Sequence, residues 1–142
     1  PLVLAQPDNT QYQIMRVMAA RGWSHVRVLN LSDLRDPKSQ KFISRTRMLE
    51  SLPDGDAHSL FSAIRTHERN TMLNRKPNAP FILGWGQHVG LVRLADQCLH
   101  NLKGQRIVTV RSKNDHSLTA HPSPMRQSQK LKWLERILRE LS

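Results

Sequence analysis

The chain has 142 residues, enough to bury one hydrophobic core and short for two, so a single domain over 1–142 is expected. Its 22 Lys and Arg against 11 Asp and Glu leave a formal net charge of +11, which points to a polyanionic partner. No apolar run is long enough to span a bilayer, and P-L-V-L-A lacks the basic start and the apolar stretch of about seven residues of a signal peptide, so a cytoplasmic protein with no membrane partner is expected.

In chain order, residues 2–5 form a short apolar strand ended by Gln6, Pro7, Asp8, Asn9 and Thr10, which are turn and cap formers. A helix follows over 10–21, with Ile14, Val17, Met18 and Arg21 at spacings of three and four and Gly22 as its stop. Residues 25–31, H-V-R-V-L-N-L, read as a second strand, and strand, helix and strand within some thirty residues make a parallel βαβ unit. The stretch 32–47 is polar and basic, with only Leu34, Phe42 and Ile43 to bury, and reads as a loop or short helix. After a turn at Pro53, Asp54 and Gly55, a helix is expected over 57–73, then a loop over 74–80. Phe81, Ile82 and Leu83 form a third strand, and Val89, Val92, Ala95 and Leu99 mark the next helix. Residues 106–110 form a fourth strand. Leu131, Leu134, Ile137, Leu138 and Leu141 mark a terminal amphipathic helix over 127–141. The expected fold is α/β, with a four-stranded parallel sheet in a three-layer α/β/α sandwich.

Parallel sheets bind ligands beyond the carboxyl ends of their strands. Asn30 stands at one such end, where an amide can donate to and accept from a planar base edge; an Asn there serves equally to cap a strand. His121 precedes Pro122 and lies close to Pro124, so the chain there is stiff enough to aim an imidazole, and Ser123 between the prolines offers a hydroxyl and an N–H. The same H-P-S-P is also a plain turn before the last helix. Gln6 and Asp8 can position water or a sugar, while Asp8 and Asn9 are equally good helix caps. Lys38, Lys41 and Arg45 in one basic stretch, Arg111 and Lys113 in another, and Arg126 after the loop are candidates for phosphate contacts. The seven histidines include no H-x-x-x-H or H-E-x-x-H, and the single Cys98 can build neither a disulfide nor a C-x-x-C site, so neither metal nor cofactor is expected. Cys98 reads as a packed helix residue.

With these motifs in order, L-G-W-G-Q-H, then T-A-H-P-S-P and a terminal helix, the chain resembles the uracil-DNA glycosylase superfamily. Its V-L-N-L is similar to that superfamily's L-L-L-N strand. Residues 8–39, with N-T-x-Y-x-I-M-R, R-G-W, V-x-V-L-N-L and R-D-P-K, also resemble an uncharacterised bacterial domain-of-unknown-function family whose first strand ends in N-P-S. The superfamily likeness implies that Asn30 reads a base, that Trp85 borders the base site, that His121 stabilises a departing base and that Ser123 contacts phosphate. Where the superfamily has G-Q-D-P-Y-H or N-P, this chain has A-Q-P-D-N, with Asp8 after the proline, and Met125 stands at the place of a leucine wedge. The likeness therefore implies a DNA- or nucleic-acid-binding protein with a base pocket, in which Gln6, Asn30, Trp85 and His121 gather at one sheet edge. N-glycosidic cleavage is the enzymatic expectation. An inactive binding module and a hydrolase of free nucleotides are the alternatives.

Overall fold

The computed structural model describes residues 5–34 and 39–142, without the side chain of Ser39. Among the described residues there are five α-helices and one two-stranded parallel sheet, a mixed α/β architecture. Helix α1 spans Asn9–Arg21, α2 Ser39–Glu50, α3 Thr66–Leu73, α4 Val92–Asn101 and α5 Gln127–Leu141; strand β1 spans Phe81–Leu83 and β2 Ile107–Thr109. Single 3₁₀ turns at Ala63–Arg65 and Val89–Leu91 lead into α3 and α4.

Helix α1 starts and stops where local chemistry dictates. Asp8 accepts the backbone N–H of Gln11 while the Gln11 side chain accepts the N–H of Asp8, each at 2.8 Å, which satisfies two donors that the helix itself cannot. Gly22 closes it at φ 66°, a left-handed conformation open to glycine. Helix α5 has the boundaries its periodicity predicts, although Leu131 is half exposed and Trp133 is buried in its place.

The strands pair Phe81 with Ile107, Ile82 with Val108 and Leu83 with Thr109. Side chains alternate across a strand, so the pair has two faces. On one, Ile82, Val108 and Val110 meet Val17 of α1 and Trp133, Ile137 and Leu141 of α5. On the other, Phe81, Leu83 and Ile107 meet Leu60, Phe61, Cys98 and Leu102.

Three segments differ from expectation. Residues 25–31 carry no strand among the described residues; a ladder needs a paired neighbour, and Leu2, Val3 and Leu4, the expected first strand, lie outside the described residues. Their side chains still alternate, Val26 and Val28 lining one cavity while Leu29 and Leu31 join the core beside β1. The stretch expected as a helix over 57–73 is helical only from Ala63, because Ser59 turns the chain by accepting the Phe61 N–H on its own hydroxyl, a local bond that competes with helix. From Ser39 on, the basic stretch before it belongs to the 12-residue helix α2, anchored by buried Ile43 and Thr46. No helix among the described residues is long and apolar enough to cross a membrane.

Candidate functional site

The chain beyond β1 and the chain beyond β2 meet around one buried residue, Thr119, which is 1% exposed. Its hydroxyl accepts the Trp85 backbone N–H at 3.1 Å, and its own N–H donates to the Gly86 carbonyl at 3.3 Å. The Trp85 indole N–H donates to the Ser117 carbonyl at 2.9 Å, and the Ser117 hydroxyl bonds the Asp96 carboxylate of α4. The W-G turn and the loop that leads to His121 are thus joined through backbone groups, with the Trp85 ring half-buried over the core.

The H-P-S-P loop is seated on that turn. Ala120 donates its N–H to the Val110 carbonyl at 2.7 Å, and Pro122, buried, lies so close to Gly84 that a Cβ there would fall 2.8 Å from the ring Cδ. From the opposite side Gln13 of α1, 1% exposed, donates its amide to the Pro122 carbonyl at 2.7 Å and to the Lys130 carbonyl at 3.0 Å. Its oxygen accepts from Arg16 at 2.8 Å. The loop is therefore held from the sheet, from α1 and from the start of α5. His121 is exposed, and its Nδ1 accepts the Ser123 N–H at 3.1 Å, so in the neutral ring the proton sits on Nε2. Met125, at 99% exposure, and Arg126 follow on the surface.

The remaining candidates fall elsewhere. Gln6, exposed, lines a cavity of about 340 Å³ with Pro7, Ile14, Met15 and Met18. Asp8 is engaged in capping α1. Asn30, exposed, lines a second cavity of about 170 Å³ with Asp33, Leu60, Arg65, Glu68 and Met72. The walls of neither cavity include Trp85, His121 or Ser123. The loops of Trp85, His121 and Ser123 come together, while Gln6 and Asn30 sit in two separate hollows flanking residue Val28. Of the basic candidates, Lys41 and Arg45 lie exposed on α2, Lys113 and Arg126 are exposed, and Arg111 donates to the His116 carbonyl at 2.9 Å; Lys38 lies outside the described residues.

Sequence reasoning passed over several residues that organise these sites. Gln13 was hidden because apolar periodicity skips a polar residue, although its spacing of four from Val17 is the available signal. Arg65 holds Glu68 through two hydrogen bonds, at 2.9 and 2.7 Å, and Asp33 through one at 2.6 Å. Those carboxylates push its guanidinium pKa up, Glu68 first, and Arg65 in turn lowers that of Glu68. His58 is a hub between segments: its Nδ1 lies 2.7 Å from the Ser32 hydroxyl, its Nε2 3.2 Å from Glu50, and Glu50 also pairs with Arg93. Burial lowers the His58 pKa, with Asp56 and Asp33 opposing and Arg65 adding to the shift. A neutral ring accepting from Ser32 on Nδ1 and donating to Glu50 from Nε2 fits both bonds.

Among the described residues no three His, Cys, Asp or Glu side chains gather as a metal would require. Cys98 is 3% exposed and burial pushes its thiol up to about 12, so it packs as a small apolar group. Comparisons of the chain with protein-family models, curated proteins and solved structures found no match.

Proposed function

We propose that this protein binds nucleic acid through its basic surface and receives a single base at the carboxyl edge of its sheet. The observation that carries the reading is the seating of the H-P-S-P loop on the W-G turn, with Pro122 against Gly84 and Trp85 bonded to Thr119. His121 is exposed on that junction, and Met125 and Arg126, also exposed, follow it along the chain. The net charge of +11 supports a polyanionic partner, with Lys41, Lys113 and Arg126 exposed for phosphates. Met125, an apolar side chain that the protein leaves 99% exposed, suits insertion between stacked bases.

The fold we infer with this reading is the three-layer α/β/α sandwich of the uracil-DNA glycosylase superfamily, with four parallel strands. What supports it is the cover of both faces of the β1–β2 pair and the alternation of Val26 and Val28 against Leu29 and Leu31.

N-glycosidic cleavage is the second reading, and His121 favours it. An exposed imidazole whose Nδ1 already accepts a bond presents Nε2–H as donor, the group needed to stabilise negative charge on a departing base. Asn30 and Gln6 line hollows whose walls do not include His121, and Asp8 caps α1, so this step rests on His121 alone.

The test is fluorescence anisotropy with labelled single-stranded and duplex DNA between about 50 and about 200 mM salt. Affinity should fall with a log–log slope of about −0.9 per phosphate neutralised on duplex DNA, and Lys41→Glu, Lys113→Glu and Arg126→Glu should each flatten it by roughly one. A flat salt profile overturns nucleic-acid binding. Strand scission at abasic sites, scored on oligonucleotides carrying a panel of modified bases, separates the glycosylase from an inactive module.

A further inference from the structure

The hollow beside Asn30 has a chemistry that specifies its ligand. At about 170 Å³ it is well under the ~300–1,000 Å³ of a pocket for a drug-sized molecule, so it suits one ring system and not a whole nucleotide. Leu60 and Met72 supply apolar wall, and Asn30, Asp33, Arg65 and Glu68 supply polar groups. The guanidinium of Arg65 is shared between two carboxylates, taking both oxygens of Glu68 and Oδ2 of Asp33. One cation against two anions leaves the rim acidic, which disfavours a phosphate. A carboxylate has about four lone-pair positions, so Asp33, engaged by Arg65 at a single oxygen, retains acceptor capacity. The backbone carrying Asp33 is pinned as well. Its N–H donates to the His58 carbonyl at 2.7 Å, and Ser32, bonded to the His58 ring, accepts the Leu34 N–H at 3.1 Å.

We propose that this hollow takes the Watson–Crick edge of guanine: the ring N–H and the adjacent exocyclic amine donate to the Asp33 carboxylate, and the Asn30 amide donates to the neighbouring carbonyl. The assignment rests on the reading above that the protein takes up a base, and it places that base in the Asn30 hollow, apart from the His121 loop. An amide that both donates and accepts does not choose among bases. The carboxylate does, because it needs two adjacent donors. Uracil and thymine offer one N–H between two carbonyls, which would face the carboxylate acceptor to acceptor; cytosine and adenine offer an amine beside an acceptor nitrogen.

Ligand-observed NMR titrations of the full chain with guanosine, inosine, xanthosine and uridine test this. Wild type should bind guanosine at least about tenfold more tightly than inosine, which lacks the amine, or uridine. Asp33→Asn presents one donor and one acceptor, so its preference should move from guanosine to xanthosine, whose exocyclic carbonyl replaces the amine. A gain for xanthosine cannot come from a damaged fold. Glu68→Gln, which weakens the Arg65 cluster and leaves the proposed reading group intact, should keep the guanosine preference. Uridine binding as tightly as guanosine overturns the guanine assignment and leaves a base pocket standing. No binding of any nucleoside overturns the hollow as a base site, DNA binding that still falls with salt then leaving the nucleic-acid reading standing, and an unchanged preference in Asp33→Asn overturns the role of the carboxylate.

Discussion

The two regions that carry the candidate chemistry are built by opposite means. The loop around Thr119 to Ser123 is held by neutral hydrogen bonds, several made by nearly inaccessible groups: Thr119 to Trp85 and Gly86, Gln13 to Pro122 and Lys130. The hollow at Asn30 is bounded by charges in contact with solvent, Arg65 with Asp33 and Glu68, whose carboxylate side chains are 63% and 54% exposed. Unmade bonds to buried groups are expensive, whereas exposed ion pairs are screened and weak. The difference teaches that the first region presents His121 on a rigid base, while the second owes its shape to the balance of charge and to the His58 hub behind it.

That contrast can be broken from either side. The largest effect should come from Gln13→Ala, which removes the buried amide that donates to the Pro122 carbonyl and adds a second donor to the Lys130 carbonyl of α5. A loss on the order of 2–4 kcal/mol is expected from urea unfolding, together with displaced His121 resonances. A smaller loss, of about 1–3 kcal/mol, is expected for Gly84→Ala, whose Cβ would lie 2.8 and 2.9 Å from Pro122 Cδ and Cγ and must push the loop or the strand end aside. If that variant melts like wild type with unchanged His121 signals, the loop is not seated as tightly as the contrast requires.

The smallest effect should be the one that sharpens the comparison, because it belongs to the second region alone. Burial holds His58 below its ordinary value of 6.5, so the folded ring stays neutral where an unfolded one is already charged. Unfolding then takes up a proton. The stability associated with His58 should be undiminished above pH 6.5 and fall as the pH drops below it. Thermal melts of wild type and His58→Gln across that window should converge toward low pH. Parallel curves would remove His58 from the account.

Much of the framework is legible in the residues. The terminal helix at Gln127–Leu141, the Asp8 cap and Gly22 stop of α1, and strands at 81–83 and within 106–110 all follow from periodicity and capping, which are local. The break of the expected 57–73 helix was missed because Ser59 settles it by a hydrogen bond that periodicity does not register. Lys113 and Arg126 are on the surface, as charge alone requires.

What the sequence by itself determined is where α1 and α5 begin and end, which faces are apolar, that the net charge is +11, and that the W-G and H-P-S-P motifs follow β1 and β2. Those properties depend on neighbours within a few positions along the chain. Only the tertiary structure decided that Gln13 reaches Pro122 across 109 positions, that Ser32 meets His58 across 26, and that Arg65 rather than His121 stands beside Asn30. A buried donor or a carboxylate takes whichever partner the packing of separate helices brings within about 3 Å, and no local pattern encodes that choice.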